Sequence, residues 1–110
     1  METDMSEVIV AGKDVHSIGA AIEAEGFDVA RVDIANRPAL EENGIHGAET
    51  FVLTEMEQAT SISVAKDLNP ELKVLIYSEG SLPDYASRQT DLSLDPALFE
   101  PAAVAAELDS

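Results

Sequence analysis

Apolar-rich runs alternate along the chain with segments whose apolar residues recur at helical spacing. The first run is apolar on both faces, which is typical of a strand in a parallel sheet covered by helices. The second run alternates imperfectly, as an edge strand would, and the last run is weak. Together the runs predict five strands, at residues 7–12, 27–33, 49–54, 73–77 and 91–94.

Residues that start or stop helices separate these predicted strands. Ser17 can cap a helix that closes at Gly26. Asn36 can cap a second helix, with Pro38 in its first turn, which closes before Gly44. Further helices are predicted over residues 57–68, over barely two turns from residue 81, and over residues 101–108.

This alternation predicts an α/β fold, a Rossmann-like, doubly wound, parallel five-stranded sheet with helices on both faces. The 110 residues leave room for a single domain, which we expect over residues 8–110. Residues 1–7 contain three acids and neither the basic nor the apolar part of a secretion signal. We expect them to form an acidic disordered tail.

Charge is the most unusual property of the sequence. The chain carries 22 acidic and six basic residues, for a formal charge of −16. Acids spread among few lysines are typical of a cytoplasm of high salt concentration, where salt screens their repulsion. The same charge disfavours nucleic acid as a partner. Because the chain has no cysteine and no apolar stretch long enough to span a bilayer, we expect a cytoplasmic protein without membrane insertion.

Ligands of parallel sheets bind beyond the carboxyl ends of the strands. Acids outnumber bases at these positions, which is also typical of an ordinary surface of so acidic a chain. The candidate site residues at these ends are Gly12, Lys13, Asp14, Asp33, Thr54 and Glu55.

Three segments after residue 40 carry a recurring pattern: EENGIHGAETFVLT at residues 41–54, VAKDLNPELKVLI at residues 64–76 and TDLSLDP at residues 90–96. In this order they resemble the TrkA-N domain, also called RCK, which binds nucleotides and regulates potassium transporters and channels. The chain looks like a shortened, stand-alone version of haloarchaeal type. The resemblance implies that NAD(H) or an adenine nucleotide binds at the six candidate residues. It also implies a transporter or regulatory protein as partner, and pairing of two copies through helices that cover the sheet.

Two features depart from this family. Its first loop carries Gly-x-Gly-x-x-Gly, whereas residues 12–19 keep only the first glycine of that motif, and Asp14 stands near the second. One βα unit is also missing after the second strand, which would contract the strand order to 2-1-3-4-5. Asp33 is then either the acid that holds a ribose hydroxyl or an aspartate of a later strand, and both assignments stay open.

The sequence contains no catalytic constellation. A phospho-receiver domain needs Asp after the third strand and Lys after the fifth, where this chain has Thr54 and Asp95. No Gly-x-Ser-x-Gly elbow is present, and His16 and His46 are expected at the surface. We therefore expect neither an enzyme nor a metal site.

Two functions from different classes follow. The first is a non-catalytic regulatory module that senses a nucleotide. The alternative is a ligand-free scaffold or interaction module that acts through self-association or a protein partner. The Ala-rich helix at residues 101–108 offers small side chains beside Val104 for a homodimer, and the same helix could instead close its own sheet.

Overall fold

The computed structural model describes residues 7–80 and 82–109 of the chain. The expected acidic tail lies outside the described residues, apart from Glu7, which begins the first strand. Five strands and five short helices follow one another through the described part, as the apolar pattern predicts. No helix among them has the length and hydropathy that crossing a bilayer requires.

All five strands are parallel and belong to one sheet. They are β1 (Glu7–Ala11), β2 (Asp28–Val32), β3 (Thr50–Leu53), β4 (Lys73–Tyr77) and β5 (Leu92–Leu94). Their order is β2-β1-β3-β4-β5, which confirms the predicted architecture, with β2 at one edge. The parallel register brings the residues that directly follow the strands to one side of the sheet, which we call the carboxyl edge.

Five helices cover the sheet: α1 (Ile18–Ala24), α2 (Arg37–Glu42), α3 (Ser61–Leu68), α4 (Asp84–Ser87) and α5 (Pro101–Asp109). The predicted cap of α2 is confirmed, because Asn36 Oδ1 accepts a hydrogen bond from Ala39 N at 2.9 Å. Gly44 follows that helix with a φ of +84°, which favours glycine. Helix α3 begins four residues later than predicted, because Met56–Gln58 forms a separate 3-10 turn.

Two apolar clusters, one on each face of the sheet, form the core. Alternate residues of β1 enter opposite clusters, so that Ile9 joins the residues of α2 and α3 while Val10 joins those of α1 and α5. A fully buried Ile, Leu or Phe stabilises the fold by about 1.5–3 kcal/mol. This burial explains why helices too short to be stable alone are formed here.

Helix α5 is the closing helix of the sheet. Val104 is 2% exposed and Ala105 is fully buried, both in the cluster shared with α1. Val104 is therefore unavailable to a second copy, and a homodimer that this helix or the neighbouring edge completes stays a prediction. The small size of Ala105 lets the helix lie close to its own sheet.

Candidate functional site

Thr54 joins the ends of β1 and β3 at the carboxyl edge. Its backbone N–H donates to the carbonyl oxygen of Ala11 at 2.9 Å, and its hydroxyl donates to the same oxygen at 2.7 Å. The hydroxyl oxygen also accepts a hydrogen bond from Asp14 N at 3.1 Å. Thr54 thus fixes the loop after β1, and its hydroxyl proton is used in the hydrogen bond to Ala11.

Asp14 caps helix α1 with both oxygens of its carboxylate. Oδ1 accepts from Ile18 N at 2.7 Å, and Oδ2 accepts from Gly19 N at 2.9 Å. The prediction that Ser17 caps this helix is wrong, because its side chain makes no such bond and its backbone is left-handed, with a φ of 59°. A carboxylate also suits this position because the amino terminus of a helix carries partial positive charge.

Gly12 is required by the close approach of two loops. Its φ is +102°, and a Cβ at this position would lie 2.3 Å from Thr54 Oγ1 and 2.9 Å from the Glu55 side chain. The glycine therefore serves packing between the loops after β1 and β3. A Gly12→Val variant would test folding as much as ligand binding.

A small cavity lies beside Gly12, between β1, β2 and α1. It measures about 260 Å³ and is lined by Val10, Gly12, Lys13, Asp14, Ser17, Ala20 and Arg31. Of the six candidate residues, Gly12, Lys13 and Asp14 line this cavity. Of the lining residues, Lys13 and Arg31 are the ones that could attract an anion.

Arg31 is held by Glu23 of α1 through two hydrogen bonds, of 3.0 and 3.2 Å. The hydrogen bonds raise the pKa of Arg31, burial partly offsets them, and the negative charges of Glu23 and Asp14 raise it further. The same bonding lowers the pKa of Glu23. The Arg31 guanidinium lies next to Gly19. A side chain at that position would be crowded, because its Cβ would lie 3.1 Å from both Arg31 Nη2 and Asp14 Oδ2. Arg31, one of the two cations in the cavity wall, is thus already paired with Glu23.

Gln58 connects the remaining two candidate residues, and no sequence pattern indicates this role. Its Nε2 donates to the carbonyl oxygen of Asp33 at 2.9 Å and to Glu55 Oε1 at 2.7 Å, while its Oε1 accepts from Ala35 N at 2.8 Å. Asp33 is an exposed residue directly after β2. The hydrogen bond from Gly12 N to the carbonyl oxygen of Val32, at 2.9 Å, places Asp33 near the loop after β1.

Tyr77 is a second residue that sequence reasoning missed. Its hydroxyl donates to the carbonyl oxygen of Phe99 at 2.6 Å, which ties the end of β4 to the loop before α5. Burial raises the pKa of Tyr77, and the charges of Asp14 and Glu100 raise it further. The His16 ring meets the Tyr77 ring edge-on, with centroids 6.0 Å apart. Tyr77 therefore contacts both the loop after β1 and the loop before α5.

Histidines and acids form no metal-binding cluster in the described ranges, residues 7–80 and 82–109. His46 lies at the surface, as predicted, with Nδ1 3.1 Å from the carbonyl oxygen of Leu68 and Nε2 3.9 Å from Glu41. Asp95, at the position where a receiver domain needs Lys, accepts a hydrogen bond from Ala97 N at 2.9 Å. With Thr54 after β3, the carboxyl edge differs from that receiver pattern at both positions.

Several solved structures share the fold. The orphan response regulator HP1043 of H. pylori is 15% identical, with a TM-score of 0.72 over 94% of this chain and 93% of that chain. A CheY-like receiver domain protein from Methanospirillum hungatei is 17% identical, with a TM-score of 0.69 over 94% and 90%. The TrkA-N domain of the inner membrane protein ybaL from Escherichia coli is 14% identical, with a TM-score of 0.60 over 98% and 100%.

At these identities, the likenesses show a common flavodoxin-like or Rossmann-like fold and nothing about ligands. TrkA-N domains are similar to this chain in fold, and membership of the chain in that family is not confirmed. No match is found among the curated proteins. Residues 8–108 match a family model described as a family of unknown function, DUF7126. Since the match spans nearly the whole chain, the protein belongs to the DUF7126 family.

Proposed function

We propose that this protein is a non-catalytic regulatory module that acts by contacting another protein, with no nucleotide at its carboxyl edge. The observation that carries the proposal is the Asp14 carboxylate at the start of α1. It accepts from the N–H groups of Ile18 and Gly19, which lie where a dinucleotide-binding loop presents N–H groups to phosphate.

Electrostatics support the same conclusion. A phosphate beside α1 would have to displace the Asp14 cap, which is worth about 1 kcal/mol for a typical helix. It would also meet the negative charge of Asp14 and Glu23, whereas Arg31 is already bonded to Glu23. The Thr54 side chain also lies close against Gly12, at the point where the backbone of a dinucleotide-binding loop would approach its ligand.

The polar groups of the carboxyl edge also argue against catalysis. The Thr54 hydroxyl donates to a carbonyl oxygen and accepts from a backbone N–H. The Tyr77 hydroxyl donates to a carbonyl oxygen, and burial raises its pKa, which disfavours a nucleophilic phenolate further. Neither hydroxyl is paired with a side-chain base, so neither is an activated nucleophile.

The second candidate function is sensing of NAD(H) or an adenine nucleotide, as in the regulators of potassium transport that the sequence resembles. One observation favours it, which is the cavity beside Gly12 with Lys13 and Arg31 in its wall. In that case the six candidate residues, Gly12, Lys13, Asp14, Asp33, Thr54 and Glu55, would surround the ligand.

A thermal-shift screen in multimolar KCl separates the two functions. A ligand present at one hundred times its dissociation constant stabilises the folded chain by about 2.7 kcal/mol, which raises the melting temperature by roughly 10 °C for a domain of this size. We expect no shift with NAD, NADH, ATP, ADP or AMP beyond that given by equal concentrations of inorganic phosphate. A saturable shift with one nucleotide that Arg31→Gln abolishes would establish the second function instead.

A further inference from the structure

Exposed apolar side chains are concentrated at the β5 edge of the sheet. Six large apolar side chains are exposed among the described residues, and four of them belong to α4, to β5 and to the loop between β5 and α5. We call these four the β5-edge patch: Tyr85 in α4, Leu92 in β5, and Leu98 and Phe99 in the loop before α5. Single exposed apolar residues are ordinary, whereas a group at one edge marks an interaction surface.

The backbone of β5 is open beside this patch. β5 pairs with β4 through Leu75 and Leu92, and it is the last strand of the sheet. No other strand in residues 7–80 and 82–109 pairs with its outer side. A strand edge that carries apolar side chains can accept an extended segment of another chain.

The loop that carries Leu98 and Phe99 is held in one conformation. The carbonyl oxygen of Asp95 accepts from Leu98 N at 2.9 Å and from Phe99 N at 3.0 Å. At the other end of the loop, the carbonyl oxygen of Phe99 accepts a hydrogen bond from the Tyr77 hydroxyl at 2.6 Å. Because the loop is already ordered, a partner that buries Leu98, now 77% exposed, meets a preorganised surface.

Charge around the patch indicates the chemistry of the partner. Residues 79–100 contain five acids and one base, Arg88. A second copy of this chain would bring the same acids to the contact, and each copy carries a formal charge of −16. A segment with lysine or arginine beside its apolar residues would complement the surface. The acids are Glu79, Asp84, Asp91, Asp95 and Glu100.

We propose that the β5-edge patch binds a partner protein through a segment that combines apolar and cationic side chains. This inference rests on the proposed function, since it names the surface and the partner chemistry of a module that acts by protein contact. The apolar side chains contact Leu92, Leu98 and Phe99, and the cations face the surrounding acids.

Peptide titration tests this proposal. The probe is a short synthetic peptide of leucine, arginine and glycine, titrated into the isotope-labelled full chain at the lowest KCl concentration that keeps it folded. We expect saturable shifts of backbone amide signals in β5 and in residues 97–100. Leu98→Ser should weaken binding by at least about tenfold, because burial of one leucine is lost. Ile34→Ser is the matched control, since Ile34 is 59% exposed and follows β2 at the opposite edge of the sheet, and it should leave affinity unchanged.

Two further peptides determine whether the chemistry is as stated. Replacing arginine by glutamate, or leucine by serine, should weaken binding by at least about tenfold in each case. Equal binding of the glutamate peptide, shifts confined to the β2 edge, or no binding would overturn the proposal. A concentration-dependent dimer that Leu98→Ser dissociates would identify a second copy as the occupant instead. None of these results decides the proposed function, because the nucleotide screen tests that function independently.

Discussion

Val104→Glu is expected to unfold the chain rather than to change its association state. Val104 is 2% exposed in the cluster that β1, β4, α1 and α5 share. The substitution removes its apolar burial and places a carboxylate where the surrounding side chains are apolar. Together these effects should cost about 4 kcal/mol or more, a large part of the stability of a small domain. The melting temperature in high KCl should fall by about 15 °C or more.

Ala103→Glu provides the matched control for this prediction. Ala103 precedes Val104 on the same helix and is exposed, so the variant adds the same charge without burying it. Its melting temperature should stay within about 3 °C of the original. A Val104→Glu chain that melts normally and sediments as a smaller species would contradict the assignment of α5 to the core.

Lowering KCl from about 2 M to about 0.1 M should strongly destabilise the fold. The screening length grows from roughly 3 Å at 1 M to roughly 10 Å at 0.1 M, so the acids of a chain with formal charge −16 then repel one another across its surface. Ion pairs such as those of Arg31 with Glu23 and Arg37 with Asp67 gain strength at low salt, but exposed pairs contribute little to stability. The net repulsion should therefore dominate, and the melting temperature should fall steadily with KCl.

A charge-reduced variant shows whether repulsion is the cause. Asp28→Asn, Glu42→Gln and Glu71→Gln together remove three exposed negative charges. This triple variant should keep more of its stability at low KCl and show a shallower dependence of melting temperature on salt. If the melting temperature of the original chain is the same in about 2 M and in about 0.1 M KCl, the argument for a high-salt cytoplasm fails.

The fold could be predicted because its determinants are local in the sequence. The run Val8–Ala11 is buried on both faces, as expected for a strand whose sheet is covered by helices on both sides. The stop at Asn69 and the cap at Asn36 depend on residues within a few positions of the helix concerned. The strand order followed from the family resemblance together with the absence of one βα unit.

The contacts among the candidate residues could not be predicted, because they join residues far apart in the chain. Asp14 rather than Ser17 caps α1, since both residues adopt positive φ and the turn between them carries the carboxylate beneath the helix. No local sequence pattern predicts the hydrogen bonds from Gln58 to the loop after β2 or from Tyr77 to Phe99. Each of these contacts exists only once the sheet has brought the loops together.

The central claim is that this chain's own Asp14 occupies the position at α1 where a nucleotide phosphate would bind. Titration of ATP and of NADH into the isotope-labelled chain, followed through the amide signals of Ile18 and Gly19, tests it most directly. Because both N–H groups donate to Asp14, we expect that neither signal shifts beyond the change caused by inorganic phosphate. Saturable shifts of both signals with either nucleotide would contradict it.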